Sequence, residues 1–347
     1  MKPTVLDSLN RGLLDALQAD KQVHLLGEDI LDPYGGAFKV TRGCSTACPE
    51  QVIPTPISEA GLAGLAAGMA LRGLRPVLEI MFGDFVTLLA DQLINHIAKF
   101  RWMYNDSVTL PLVVRTPMGG RRGYGPTHSQ SLEKLYLGVP GLTVLAPTNI
   151  SLNDWSAGKL LKDTILQTDS PVLFIENKLQ YLQPLLSEED LRGFDVQIRY
   201  ETGDLEERFP IYILKIKGAP PAQVSMSAYG YMAELARQAQ YSLAFKEEIF
   251  TELVIPTRIS SFAVQPLVES AAVTGKALLI EEGTRPLGWG AEVGAQLAEN
   301  LGGRLKLLKR LAARETPVPA AVSLEGQTLP QLEDIQETLR KMSRTNG

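Results

Sequence analysis

Short apolar runs rich in Val, Ile and Leu recur along the chain between longer amphipathic segments, the pattern of buried parallel strands joined by helices. In the first half these runs predict strands at 23–27, 52–57, 75–81, 110–116, 142–146 and 171–176, with helices in most of the gaps. A second series is predicted at 211–217, 223–229, 252–259, 276–282 and 304–310. Between the two, residues 187–208 carry eight acidic and three basic side chains with little apolar periodicity, which reads as a solvated inter-domain segment. From Leu332 through Ile335 and Leu339 to Met342 the apolar residues share one face, predicting a terminal helix docked on the second half. The fold class expected is α/β: two mostly parallel-sheet domains, 1–186 and 211–347, around a connector at 187–210.

Composition agrees with that picture and removes several partners. A chain of 347 residues exceeds the usual single domain, and 45% hydrophobic with 21% charged residues is ordinary for a globular protein. The formal charge of −5 gives no electrostatic reason to expect nucleic acid or an anionic membrane. No apolar run reaches the roughly 18 to 20 residues that span a bilayer, and the opening MKPTVLDSLNRGLLDAL patterns as an amphipathic helix rather than a signal peptide. A cytoplasmic location is expected. Cys44 and Cys48 lack the further Cys or His of a zinc site; they read as two reduced thiols, with an incidental redox pair as the alternative.

Phosphate-binding signatures are absent. There is no GxxxxGK[ST] loop, no G-x-G-x-x-G between a strand and a helix with an acid about twenty residues on, and no HExxH. Histidine occurs only at positions 24, 96 and 128, so no metal site is assigned. The informative stretch is TPISEAGLAGLAAGMALRG at 55–73, where a strand feeds a helix whose first turn carries Glu59. Each glycine weakens an isolated helix by roughly 1 kcal/mol, so Gly61, Gly64 and Gly68 imply a packing reason. Small residues at 60, 64 and 68 share a face that another helix or a cofactor could approach closely. Taken alone, Glu59 is also what an acid favourable to the helix dipole looks like. Phe85 taken alone reads as core, and His128, in a loop with Gly119, Gly120, Gly123 and Gly125, as a solvated loop residue. Arg121 and Arg122 in that loop suit either a substrate carboxylate or phosphate, or solvent.

Read together, the segments resemble the β subunits of thiamine-diphosphate-dependent 2-oxo acid dehydrogenases, the first-component β chains of the pyruvate, branched-chain and acetoin enzymes within the transketolase-like superfamily. The matching segments run in order: GEDI at 27–30 with the following YGGAF, TPISEAG at 55–61, RPVLEIMFGDF at 75–85, DQLINHIAKF at 91–100, GPTHSQSLEK at 125–134, PGLTVLAPTN at 140–149 and PVLFIENK at 171–178. Beyond residue 180 the match is looser, chiefly SAYG and EEGTRPLGWGAEV. The resemblance implies a pyrimidine-binding domain followed by a transketolase C-terminal-type domain. It implies that Glu59 hydrogen-bonds the cofactor's aminopyrimidine ring, that Phe85 stacks on it, and that Glu28, Ile57 and Met81 line the same pocket. His128 of the HSQ motif would reach the reaction centre near the thiazolium.

The diphosphate-magnesium motif of thiamine enzymes, GDG followed some two dozen residues later by an Asn pair, does not occur. The resemblance therefore implies an α subunit that grips diphosphate and magnesium, a heterotetrameric α2β2 assembly, and transfer of the acyl unit to a lipoyl acyltransferase. Two alternatives fit the looser second half: a split transketolase-like or carboligating enzyme with another acceptor, and a catalytically silent β-like chain. Glu59, Phe85 and His128 occurring together argue against the silent chain.

Overall fold

A computed structural model describes residues 2–202 and 208–345 and forms two six-stranded sheets. The first contains β1 (Val23–Gly27), β2 (Val52–Pro54), β3 (Arg75–Glu79), β4 (Val113–Met118), β5 (Thr143–Leu145) and β6 (Val172–Asn177) in the order β2-β1-β3-β4-β6-β5. All of its pairings are parallel. Each strand lies within a few residues of its expected position. The second stops at Pro54 rather than 57, because Pro54 and Pro56 have no N–H to offer a ladder. Successive residues enter opposite cores: Val77 and Val113 face the helices Val5–Ala19 and Ala157–Gln167, while Leu78 and Val114 face the helix Glu59–Leu71. Burial on both faces explains why the strands read as continuous apolar runs.

The second sheet is ordered β12-β11-β9-β10-β8-β7, from β7 (Phe194–Thr202), β8 (Arg208–Ile216), β9 (Val224–Ala228), β10 (Thr251–Pro256), β11 (Lys276–Thr284) and β12 (Leu307–Ala313). Pairing is parallel from β12 to β10 and antiparallel from β10 through β8 to β7. The connector expected at 187–210 is thereby corrected in large part: residues 194–202 form an edge strand of this sheet, and 203–207 lie outside the described residues. Phe194, Val196 and Ile198 turn inward and alternate with Asp195, Gln197 and Arg199. The strand's period of two was hidden by its charges, which an edge strand tolerates on its open face. The terminal helix Leu332–Arg344 buries Ile335, Leu339 and Met342 in the second core, as its apolar stripe predicts.

The two halves are bonded and share a core. The Ala146 amide donates to the Thr257 carbonyl at 2.8 Å, and the Ile259 amide to that of Val144 at 2.9 Å. One apolar cluster runs from Leu62 and Leu78 through Tyr136 to Phe262, Leu279 and Trp289.

Candidate active site

In the first sheet the chain moves from β1 outward to β2, then returns past β1 to β3. That reversal places a crevice at the carboxyl ends of β1 and β3, where open parallel sheets bind ligands. Five candidate residues emerge on this edge. Glu28 follows β1, Ile57 and Glu59 follow β2, and Met81 and Phe85 follow β3. Glu59 is the first residue of the helix Glu59–Leu71, with Ser58 as the cap. The residue is 8% exposed, and its carboxylate makes no hydrogen bond among the described residues. Glu28 is half-buried, and its pKa is raised first by burial and then by the negative charges of Glu59 and Asp29. Beside them Ile57 is 80% exposed and Leu65 is 53% exposed. Ala60, Gly61, Gly64 and Gly68 on the same helix are exposed as well, leaving a small-residue face uncovered.

His128 lies across from β3 in the loop after β4. Its ring stands edge-on to Phe82 (centroids 4.8 Å apart) and Phe85 (5.4 Å), and Phe82 also meets Tyr124 and Phe38. Phe85 is half-buried at the margin of the first core, so the core reading and the pocket reading meet in one residue. The HSQ motif is held by groups that sequence inspection did not single out. Asp84 Oδ1 accepts from the Gln130 amide (3.2 Å) and side chain (2.9 Å), and Lys178 Nζ donates to the His128 carbonyl at 2.5 Å. Arg121 is not free for a substrate: it donates to Glu282 at 2.7 Å and to the Pro330 carbonyl, and its amide donates to Glu325. Arg122 remains exposed.

A buried charge network beneath this edge also escaped the sequence reading. Arg115 forms a two-pronged pair with Glu176 (2.8 and 2.5 Å), donates to Glu79, and shares Glu176 with the Tyr181 hydroxyl at 2.5 Å. All four are buried, and burial raises the pKa of Glu79. The available signal was one charged residue in each of the apolar runs VLEI, VVRT and FIEN, which become adjacent strands. A second acidic group joins the domains. Glu133 accepts from Tyr229 at 2.6 Å, and Glu281, at the start of EEG, has its pKa pushed up to about 7 by burial and by Glu133. The two cysteines are free and buried, and burial pushes the Cys44 thiol up to about 12, which suits inert reduced thiols. Among the described residues no group of three or more His, Cys, Asp or Glu is placed to hold a metal ion. No helix there is long and apolar enough to cross a membrane.

Two six-stranded, mostly parallel sheets, the first with a switch-point crevice, are the fold of the transketolase-like class, and the family matches show that the chain carries both of its domains. Residues 1–183 match the family "Transketolase, pyrimidine binding domain", and residues 218–335 match "Transketolase, C-terminal domain". Pyruvate dehydrogenase E1 component subunit beta-2, mitochondrial, of Oryza sativa subsp. japonica is 34% identical over 340 residues, covering 97% of this chain and 85% of that one. The corresponding human subunit beta is 32% identical over 346 residues, covering 98% and 90%. The chain belongs to the family of β subunits of thiamine-diphosphate-dependent 2-oxo acid dehydrogenases. A solved structure described as "Split gene transketolase, inactive beta4 tetramer" shares the fold with a TM-score of 0.73 over 99% of both chains, at 19% identity.

Proposed function

We propose that this chain supplies the pyrimidine half of a two-subunit active site in a decarboxylating 2-oxo acid dehydrogenase. Its partner is an α subunit that carries the diphosphate-magnesium motif in an α2β2 assembly, and the acyl unit passes to a lipoyl acyltransferase. The observation that carries this reading is Glu59: a residue largely buried at a switch point, whose carboxylate has no hydrogen-bond partner among the described residues, beside an uncovered apolar and small-residue face. Once a partner covers that face, a buried carboxylate is costly unless something hydrogen-bonds it. An aminopyrimidine ring satisfies that requirement, and Phe85, Met81 and Ile57 offer it apolar walls, so the residues present fit this part of thiamine diphosphate. The diphosphate-magnesium motif does not occur in this sequence, which supports a partner that holds diphosphate and magnesium.

Bound thiamine diphosphate supplies a nucleophilic carbon that makes decarboxylation of a 2-oxo acid possible. The chain's residues prepare that centre. Glu59, at the start of the helix Glu59–Leu71, is placed so that its carboxyl group would hydrogen-bond a ring nitrogen of the aminopyrimidine. Phe85 orients the ring, and His128, braced on Phe82 and Phe85, handles protons on the substrate side. Coverage of Ile57 and the Gly64–Gly68 face by the partner excludes water from the acid.

The test is Glu59→Gln in the chain assembled with its α subunit. Gln retains size and a donor but exchanges no proton, so turnover should fall at least about a hundredfold, the scale of lost acid-base help. Cofactor affinity should change far less. Hydrogen-deuterium exchange at the cofactor's reactive carbon reports the step directly, and equal rates in wild type and variant would return Glu59 to the role of a helix-start acid.

A further inference from the structure

Lys178 ends the PVLFIENK segment, one residue past β6, and is 1% exposed. A buried ammonium is among the costlier groups a protein can retain, and lysines with no charged task are almost always at the surface. Desolvation draws its pKa down to about 8, against the opposing pull of Asp84, Glu282 and Glu325 and with a small contribution from Arg122. The side chain does not point into one of these carboxylates. Its Nζ donates to the His128 carbonyl at 2.5 Å and lies 5.3 Å from the centre of the Phe82 ring and 5.8 Å from that of Tyr124.

The loop it contacts needs such a hold. Residues 119–131 contain no regular ladder, and Gly119, Arg121, Gly123 and Gly125 all have positive φ. The first half is tied to the second domain, the Gly120 amide by Glu282 and the Arg121 and Gly123 amides by Glu325. The second half is held by Asp84 at Gln130 and by Lys178 at His128. Asp84 Oδ2 is buried without a hydrogen-bond partner, so the carboxylate beside Lys178 spends only one oxygen on the loop. Asp84 acts on the Lys178 ammonium only through its field. Glu282 from β11 and Glu325 from the helix Val322–Thr328 act at longer range.

We propose that Lys178 is a positioning residue for His128: its charge-assisted bond to the His128 carbonyl fixes where the imidazole stands against Phe82 and Phe85. That the placement matters for turnover rests on the proposed function above. A packing role alone would be met by any side chain of similar volume. A bond from an ammonium requires the positive charge, and arginine supplies that at any accessible pH whereas methionine does not.

The experiment compares wild type with Lys178→Met and Lys178→Arg by NMR of the His128 ring protons in the isolated chain. Rings as close as those of Phe82 and Phe85 displace these signals strongly. In Lys178→Met the signals should move toward exposed-histidine positions, while Lys178→Arg should keep them. The wild-type signals should also show a step near pH 8, as Lys178 loses its proton, that Lys178→Arg lacks. Native His128 signals in a folded Lys178→Met chain would overturn the proposal. Should that variant fail to fold, wild type against Lys178→Arg decides, and identical titrations overturn it. In the assembled enzyme, Lys178→Met should lower kcat roughly 10- to 100-fold, the loss expected of a hydrogen bond to a charged group, with little change in cofactor affinity. Displaced His128 signals beside a fully active His128→Ala enzyme would support the positioning and overturn the functional reading of His128 instead.

Discussion

Glu281→Gln should make this protein more stable at pH 8 and much less sensitive to pH. Glu281 sits near the end of β11, 1% exposed, with the Gly290 amide donating to one oxygen at 3.1 Å and the other oxygen unpartnered. Burial, and then the charge of Glu133, raise its pKa from 4.5 to about 7. The folded state therefore holds this proton more tightly than the unfolded chain does. The stabilisation from that proton is complete below pH 4.5 and is lost as pH rises through 7. A difference of about 2.5 pKa units corresponds to roughly 3 kcal/mol. Glutamine cannot ionise and so escapes the loss, but its weaker hydrogen bond from Gly290 returns about 1 kcal/mol. The net expectation is a variant about 2 kcal/mol more stable than wild type at pH 8 and no more stable, or slightly less, at pH 4.5. Urea unfolding at fixed protein concentration, followed by the fluorescence of the neighbouring Trp289, measures both. Parallel pH profiles for variant and wild type would show that Glu281 is not the ionising group, and a variant weaker at pH 8 would show that its charge is compensated in the fold.

Two further outcomes follow from the same structure. Arg115→Met leaves Glu79 and Glu176 buried without their cation, so unfolding free energy should drop by about 3 to 5 kcal/mol in urea titrations, and a drop below about 1 would mean that water already reaches the network. Gly68→Ala adds a methyl group where nothing lies within 4 Å and should stabilise the isolated chain by about 0.5 to 1 kcal/mol in helix propensity. The same change should weaken assembly with the α subunit in sedimentation or co-purification if that face is covered; undiminished assembly would remove the face from the interface.

Much of the architecture was legible in one dimension because burial writes a period into the chain. The runs around Val77, Val113 and Val172 announce strands covered on both faces, and the stripe from Ile335 to Met342 announces a docked helix, since each depends only on which side of one element is wet. Glu59, Phe85 and His128 became candidates through motif resemblance, because a family motif ties residue types to fixed local positions. The edge strand at 194–202 did not, because its polar face met the eye as a charge cluster, and only its pairing with β8 separates it from a solvated connector. Arg115 with Glu79 and Glu176, Lys178 with His128, and Glu133 with Glu281 were invisible for a different reason. Each pair joins residues 36 to 148 positions apart whose encounter depends on strand order and on the docking of the two sheets. Charge, burial and pKa at those positions are properties of that encounter, and no local pattern encodes them.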